Sequence, residues 1–415
     1  MAVEVEQRKA RVPARLFFLL GPAFVAAIAY VDPGNVAANL TAGAQYGYLL
    51  VWVLVAANAI AVFIQYQSAK LGIVTGHSLP ELLGSRLGTG SRRAFWVQAE
   101  LVAAATDLAE VIGGAIALNL LFGLPLPIGG LIVGVVSISI LAIQSRRGQR
   151  PFEMVILGLL GVIAIGFLAG LFVSPVDWGA AAGGLVPRFD GAPTVLLAAS
   201  MLGATVMPHA IYLHSALARD RHGKAETPGA VSRLLRATKL DVVAALALAG
   251  AVNIAMLLLA AASLNGVGGT DTIEGAHAAI SSALGPAIGV IFAIGLLASG
   301  LASTSVGSYA GATIMAGLLK MRIPLLTRRV VTLIPAVIIL ALGVEPTWAL
   351  VVSQVFLSLG IPFAMIPLLR LTGSRDVMGE RADRMRTRVV GIVIATLVVV
   401  LNVALVVLTV AGWLG

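Results

Sequence analysis

The sequence contains no cysteine, which excludes a disulfide or a thiolate metal site and leaves no clue to redox compartment. Charge is scarce too. Only 11% of the 415 residues are charged, against about 25% in soluble domains. No long polar block interrupts the chain, so no separate soluble domain is expected. No nucleophile–base pair or phosphate-binding loop stands in a convincing context, so an enzyme is not expected.

What fills the chain is apolar: 59% of its residues, with a mean hydropathy of +0.99. This is the composition of an all-α polytopic membrane protein forming one transmembrane domain. Apolar runs of about 20 residues predict eleven spans near 16–46, 49–68, 94–122, 128–144, 152–173, 194–218, 240–262, 287–312, 330–345, 348–370 and 389–413. Lysine and arginine alternate from side to side across them. All but Arg188 of the 28 fall in the N-terminal segment or in the connections after even-numbered spans. That is the positive-inside pattern, with a cytoplasmic N-terminus and the C-terminus outside. It accounts for the net charge of +9, so no nucleic-acid partner is needed, and no obligate protein partner is evident. The basic flank and apolar run at the start could pass for a signal peptide. The run is interrupted by Asp32-Pro33-Gly34, has no clear cleavage site, and is needed for the charge alternation. The arginine-rich connection 370–388 reads as a topology determinant beside anionic lipid.

Two spans carry breaks near their middles. Span 1 holds Asp32-Pro33-Gly34-Asn35, and span 6 holds Met207-Pro208-His209. Proline lacks an N–H and disfavours helix at the residue before it. Unwound backbone at membrane depth is tolerated only where protein or a water-filled cavity receives its polar groups. Spans 1 and 6 occupy the same place in two successive sets of five. An odd number of spans inverts the second set, which predicts an inverted repeat (about 16–173 and 194–370, with span 389–413 outside it) and a binding site at the two breaks.

Asp32 is an acid near the bilayer centre, a placement that costs about 2.5–3.5 kcal/mol and calls for a compensating cation. Asn35 offers an amide oxygen across the break. The carbonyls of Ala29 and Ala204 are freed by the unwinding, and Gln354 is a lone amide in span 10. Met207 adds a soft thioether to these hard oxygens, a mixture suited to Mn(II), Fe(II) and their neighbours rather than to Mg or Ca.

A second group of polar residues suggests a proton route. Glu100, Asp107 and Glu110 in span 3 share one helical face. Arg328 and Arg329 begin span 9 on the same side and are placed to pair with them. His209 and His214 follow the span 6 break, about 140° apart around a helix, so they do not share one metal site. Ser303, Gly307 and Gly311 read as a packing strip in span 8, and His77, His222 and His277 read as solvated loop residues.

The motifs "DPGN" and "MPH", with eleven spans, resemble the Nramp family of divalent metal transporters over essentially the whole chain. The resemblance implies a LeuT-like fold of inverted repeats and inward metal movement coupled to protons. It implies metal ligands at Asp32, Asn35 and Met207, carbonyl donors at Ala29 and Ala204, and the glutamine at Gln354. It also implies a proton path through Asp107, Glu110, His209, Arg328 and Arg329, with Glu100 and His214 matching less closely. Mn(II) or Fe(II), and further Cd(II), Co(II) or Zn(II), would be transported substrate rather than cofactor. The alternative on the same scaffold is a sodium-coupled amino-acid symporter using Ser303 and Thr304, and a cation channel is a further rival. Against the symporter, Asp32 would repel a substrate carboxylate.

Overall fold

The computed structural model describes residues 21–223, 227–270, 272–321 and 323–414. Among them every regular element is a helix. The first span is α1 (Pro22–Ala27), a 3-10 turn (Ile28–Val31) and α2 (Pro33–Tyr46). The next are α3 (Val51–Thr75), a short α4 (Leu79–Arg86), α5 (Thr89–Phe122), α6 (Leu126–Arg147), α7 (Gln149–Val173) and a short α8 (Trp178–Gly183). The sixth span is split into α9 (Gly191–Thr205) and α10 (Pro208–His222). Then follow α11 (Pro228–Ser263), α12 (Ile273–Leu284), α13 (Pro286–Leu319) and α14 (Leu325–Ala341). The chain closes with α15 (Pro346–Gly373), α16 (Arg375–Met378), a 3-10 turn (Gly379–Arg381) and α17 (Met385–Leu414).

Nine stretches are long and apolar enough to cross a membrane among the described residues, the split α9–α10 segment counting as one. Two expected spans fall outside that set: the broken first one, whose residues 16–20 lie outside the described residues, and α14, 17 residues long with Pro335 inside it. Several helices outrun their apolar cores. Lys70, Arg92, Arg93, Arg233, Arg236 and Lys239, expected in connections, lie on α3, α5 and α11, because lysine and arginine are good helix formers.

Position in the bundle follows composition. In α5 and in α9–α10, 78% of the most apolar window is buried against protein; in α17 the share is 22%. The exposed faces of α17 (Val389, Ile392, Val400), α7 (Ile165) and α14 (Val331, Ile334) are apolar, as a lipid-facing belt requires. Inside, glycine lets the central helices touch. A Cβ on Gly300 of α13 would lie 2.8 Å from Gly114 Cα on α5, the small-residue contact of membrane helices. A side chain on Gly113 would run into the Pro33 ring, so α5 is seated directly against the first break.

Candidate functional site

The two breaks are built alike. Asp32 (φ −72°, ψ 168°) and Met207 (φ −74°, ψ 124°) are both extended, and each caps a helix whose first residue is proline. Proline forces the residue before it out of the helical region and is itself favoured at the first helical position. Hence "DP" and "MP" each end one half-helix and start the next.

The freed carbonyls have partners. Asn253 of α11 donates Nδ2 to the Tyr30 carbonyl at 2.7 Å, and Ser299 of α13 donates Oγ to the Val31 carbonyl at 2.6 Å. Protein thereby receives the unwound backbone at depth. Asp32 Oδ1 accepts from the Asn35 backbone N–H and from Asn35 Nδ2, each at 2.7 Å. The same amide nitrogen lies 2.9 Å from the Ala204 carbonyl and 3.5 Å from the Ala29 carbonyl. Asp32, Asn35, Ala29 and Ala204 thus converge from both broken segments. Gln354 joins them from α15: its amide occupies the space where Gly34 lacks a side chain. Met207 is fully buried at the second break. Asp32 Oδ2, Asn35 Oδ1 and Gln354 Oε1 are buried without a protein hydrogen bond.

With no ion between them, Asn35 presents its amide nitrogen, rather than its oxygen, to these oxygens. The reason is electrostatic: three acceptors converge on the amide, and its NH2 is the only end that can donate to them.

The acid and arginine group is a chain of buried contacts. Arg329, fully buried on α14, reaches Asp107 Oδ1 at 2.5 Å and donates Nε to Ser137 at 2.7 Å. Thr304 donates to the same Asp107 oxygen at 2.7 Å. Arg328 pairs with Glu100 and donates to the Ser308 carbonyl at 3.3 Å. Glu110, deeper on α5, is fully buried, and neither carboxylate oxygen has a partner at hydrogen-bonding geometry among the described residues. His209 is buried with both ring nitrogens lacking a hydrogen-bond partner among the described residues.

His214 departs from that group. Its Nδ1 lies 2.7 Å from Gln65 Oε1, and Gln65 Nε2 lies 2.5 Å from the Tyr30 hydroxyl. It joins the unwound turn through α3, because five residues along α10 turn it to a different face. The strip on α13 also differs from its expected role. Gly307 faces the Glu110 carboxylate, 2.8 Å from where a Cβ would sit, and Gly311 faces the Arg328 guanidinium. Small residues there make room for charge rather than for helix contact alone. His222 is buried in the last turn of α10 instead of solvated. Thr304, one of the two residues expected to serve a sodium site, donates to Asp107.

Sequence reasoning missed Tyr30, Gln65, Asn253 and Ser299. Asn253 did carry a signal: it is a lone amide in an apolar run, and such groups face the protein interior.

A family model described as Nramp, natural resistance-associated macrophage protein-like, matches residues 23–408. The chain belongs to the Nramp family. Among Nramp relatives, the divalent metal cation transporter MntH of Mycobacterium tuberculosis (strain ATCC 25618 / H37Rv) is 61% identical over 396 residues, covering 95% of this chain and 92% of that protein. The manganese transporter of Eremococcus coleocola, solved with an aromatic bis-isothiourea compound, superposes with a TM-score of 0.89 at 30% identity over 100% of this chain and 92% of its own. MhsT, solved with L-phenylalanine, matches at 0.59 and 16% identity over 94% of this chain and 97% of its own, a likeness of fold alone. The fold of this Nramp chain is therefore the LeuT-like one, and the protein is a membrane transporter rather than an enzyme.

Proposed function

We propose that this protein carries divalent transition-metal ions, Mn(II) and Fe(II) foremost and Cd(II), Co(II) or Zn(II) as further substrates, inward across the cytoplasmic membrane together with protons. The observation that carries the reading is the convergence of Asp32, Asn35 and the Ala29 and Ala204 carbonyls between two half-helices. Turning the Asn35 amide by half a revolution exchanges its nitrogen for an oxygen and leaves four oxygens facing one point. Gln354 supplies a further oxygen, and the buried Met207 a soft donor that disfavours the alkaline earths. The names of the similar proteins, a divalent metal cation transporter and a manganese transporter, agree with this.

Asp32, Asn35, Met207 and Gln354 are all buried, so a substrate ion enters and leaves only when helices move. Alternating access would rock one repeat, 16–173, against the other, 194–370, about the two breaks. Protons would travel beside the metal by His209, Glu110 and Asp107, with Arg329, Arg328 and Glu100 holding the far end and His214 a side branch. With the N-terminus cytoplasmic, the membrane potential adds about 2.3 kcal/mol per 100 mV for each positive charge moved inward. The test is uptake of Mn(II) into proteoliposomes with an imposed pH gradient, acid outside. Uptake should exceed that at equal pH and should acidify the lumen. Folded protein that takes up no Mn(II) overturns the metal reading; uptake without acidification overturns the coupling.

A further inference from the structure

Two antiparallel helices, α3 and α11, turn from apolar to basic in the same direction. On α3 the change runs from Val62 and Phe63 to Lys70, and on α11 from Val243 back to Lys239. Between them and the segment joining α15 to α17 lies a groove of about 570 Å³. Its deep wall includes Val62, Phe63 and Val243, and its basic end includes Lys239, Arg381 and Arg384.

The charges in the groove do not cancel. Lys70 is paired with Asp383 at 2.6 Å, while Arg381 keeps its charge but is held in place by Ser232 Oγ at 2.6 Å and the Pro228 carbonyl. Lys239 and Arg384 are exposed and have no ion pair among the described residues, and the remaining acid lining the groove is Glu380. The positive-inside pattern assigns this end to the leaflet facing the cytoplasm. A groove with an apolar wall at hydrocarbon depth and two unneutralised cations at the headgroup level has the shape and charge of one kind of occupant.

We propose that this groove binds an anionic phospholipid, its phosphate on Lys239 and Arg384 and an acyl chain along Val62, Phe63 and Val243. The site takes no part in the transport reading, so either can fail without the other. The experiment uses the full chain, purified in detergent and stripped of lipid. Phosphatidylglycerol, phosphatidylcholine or inorganic phosphate is added, and retained lipid is counted by native mass spectrometry. Phosphatidylglycerol should be held in preference to phosphatidylcholine. Each cation near the membrane surface contributes enough that Lys239→Gln or Arg384→Gln should weaken retention about fivefold, and the double variant about thirtyfold. The pair Arg146→Gln and Arg147→Gln, exposed at the end of α6, should leave it unchanged. Equal retention of phosphatidylcholine, equal loss in the α6 variant, or displacement by inorganic phosphate at millimolar levels overturns the proposal.

Discussion

Asn35 holds Asp32 with two atoms at once: its backbone N–H and its side-chain nitrogen both lie 2.7 Å from the same carboxylate oxygen. One bond is a helix cap, which starts α2 after the proline-forced break. The other belongs to the site, since the same nitrogen also reaches the Ala204 carbonyl of the second broken segment. Asp32 therefore has one oxygen committed to structure and one, Oδ2, buried and open. A carboxylate in that condition is costly to keep in the membrane unless a cation or proton arrives. Cap and candidate ligand are one residue because the break creates both needs.

Met207 caps α10 at the place where Asp32 caps α2. A cap contributed by a side-chain oxygen is absent there, so the thioether is not tied to helix structure. Met207→Ala should leave Mn(II) uptake partly intact while Ca(II) or Mg(II) competes better than in the unsubstituted protein. Competition assays in proteoliposomes read this directly. Unchanged competition would mean that the sulfur has no part in selectivity.

The breaks were legible in the sequence because proline dictates backbone conformation from one residue away. Asp32, Asn35 and Ala204 could be placed together on that basis alone. The route His214–Gln65–Tyr30 could not, because it depends on how α3 packs between two other helices, and periodicity is silent about neighbours. The same holds for Gly307 and Gly311. A small-residue strip looks identical in sequence whether it admits a backbone or the Glu110 and Arg328 side chains. The orientation of the Asn35 amide was hidden for a related reason: one of the acceptors that hold it, the Ala204 carbonyl, comes from a segment 169 residues away.

Arg329 and Asp107 are a buried pair. Removing one partner strands the other, at about 3–5 kcal/mol, whereas replacing both by apolar groups of like size can be neutral. Asp107→Leu alone should sharply lower the unfolding temperature in detergent. Asp107→Leu with Arg329→Met should recover most of that loss while lumenal acidification during Mn(II) uptake stays abolished. A double variant as unstable as the single one would show that the pair is not what holds α5 to α14.

Glycine at two positions should respond in opposite ways to alanine. Gly113 faces the rigid Pro33 ring, and a Cβ there has nowhere to go. Gly113→Ala should destabilise by about 1–3 kcal/mol through overpacking and displace the first break, lowering metal uptake as well. Gly158 on α7 has open space around its would-be Cβ. Gly158→Ala should gain about 0.4–1 kcal/mol from the stiffer unfolded chain and leave uptake unchanged. Similar unfolding temperatures for the two variants would contradict the close approach of α5 to the break.

Glu81 lies on α4, outside the apolar spans. Its carboxylate accepts from the Ser78 backbone N–H at 2.8 Å and pairs with Arg219 of α10. Partial burial pushes its pKa up, but the Ser78 hydrogen bonds and the Arg219 charge outweigh that and hold it below the ordinary carboxylate value. The folded protein therefore binds this proton less readily than the unfolded chain does. The stabilisation is complete above the unfolded value of about 4.3 and is lost as pH falls through the lower folded one. Half-exposure and salt screening keep the effect small. Unfolding temperatures of the parent and of Glu81→Gln, measured from pH 7 down to pH 3 at low salt, should differ at neutral pH and converge on the acid side. Raising the salt should shrink the difference at neutral pH. A gap that persists unchanged into acid would mean that Glu81 acts by packing rather than by charge.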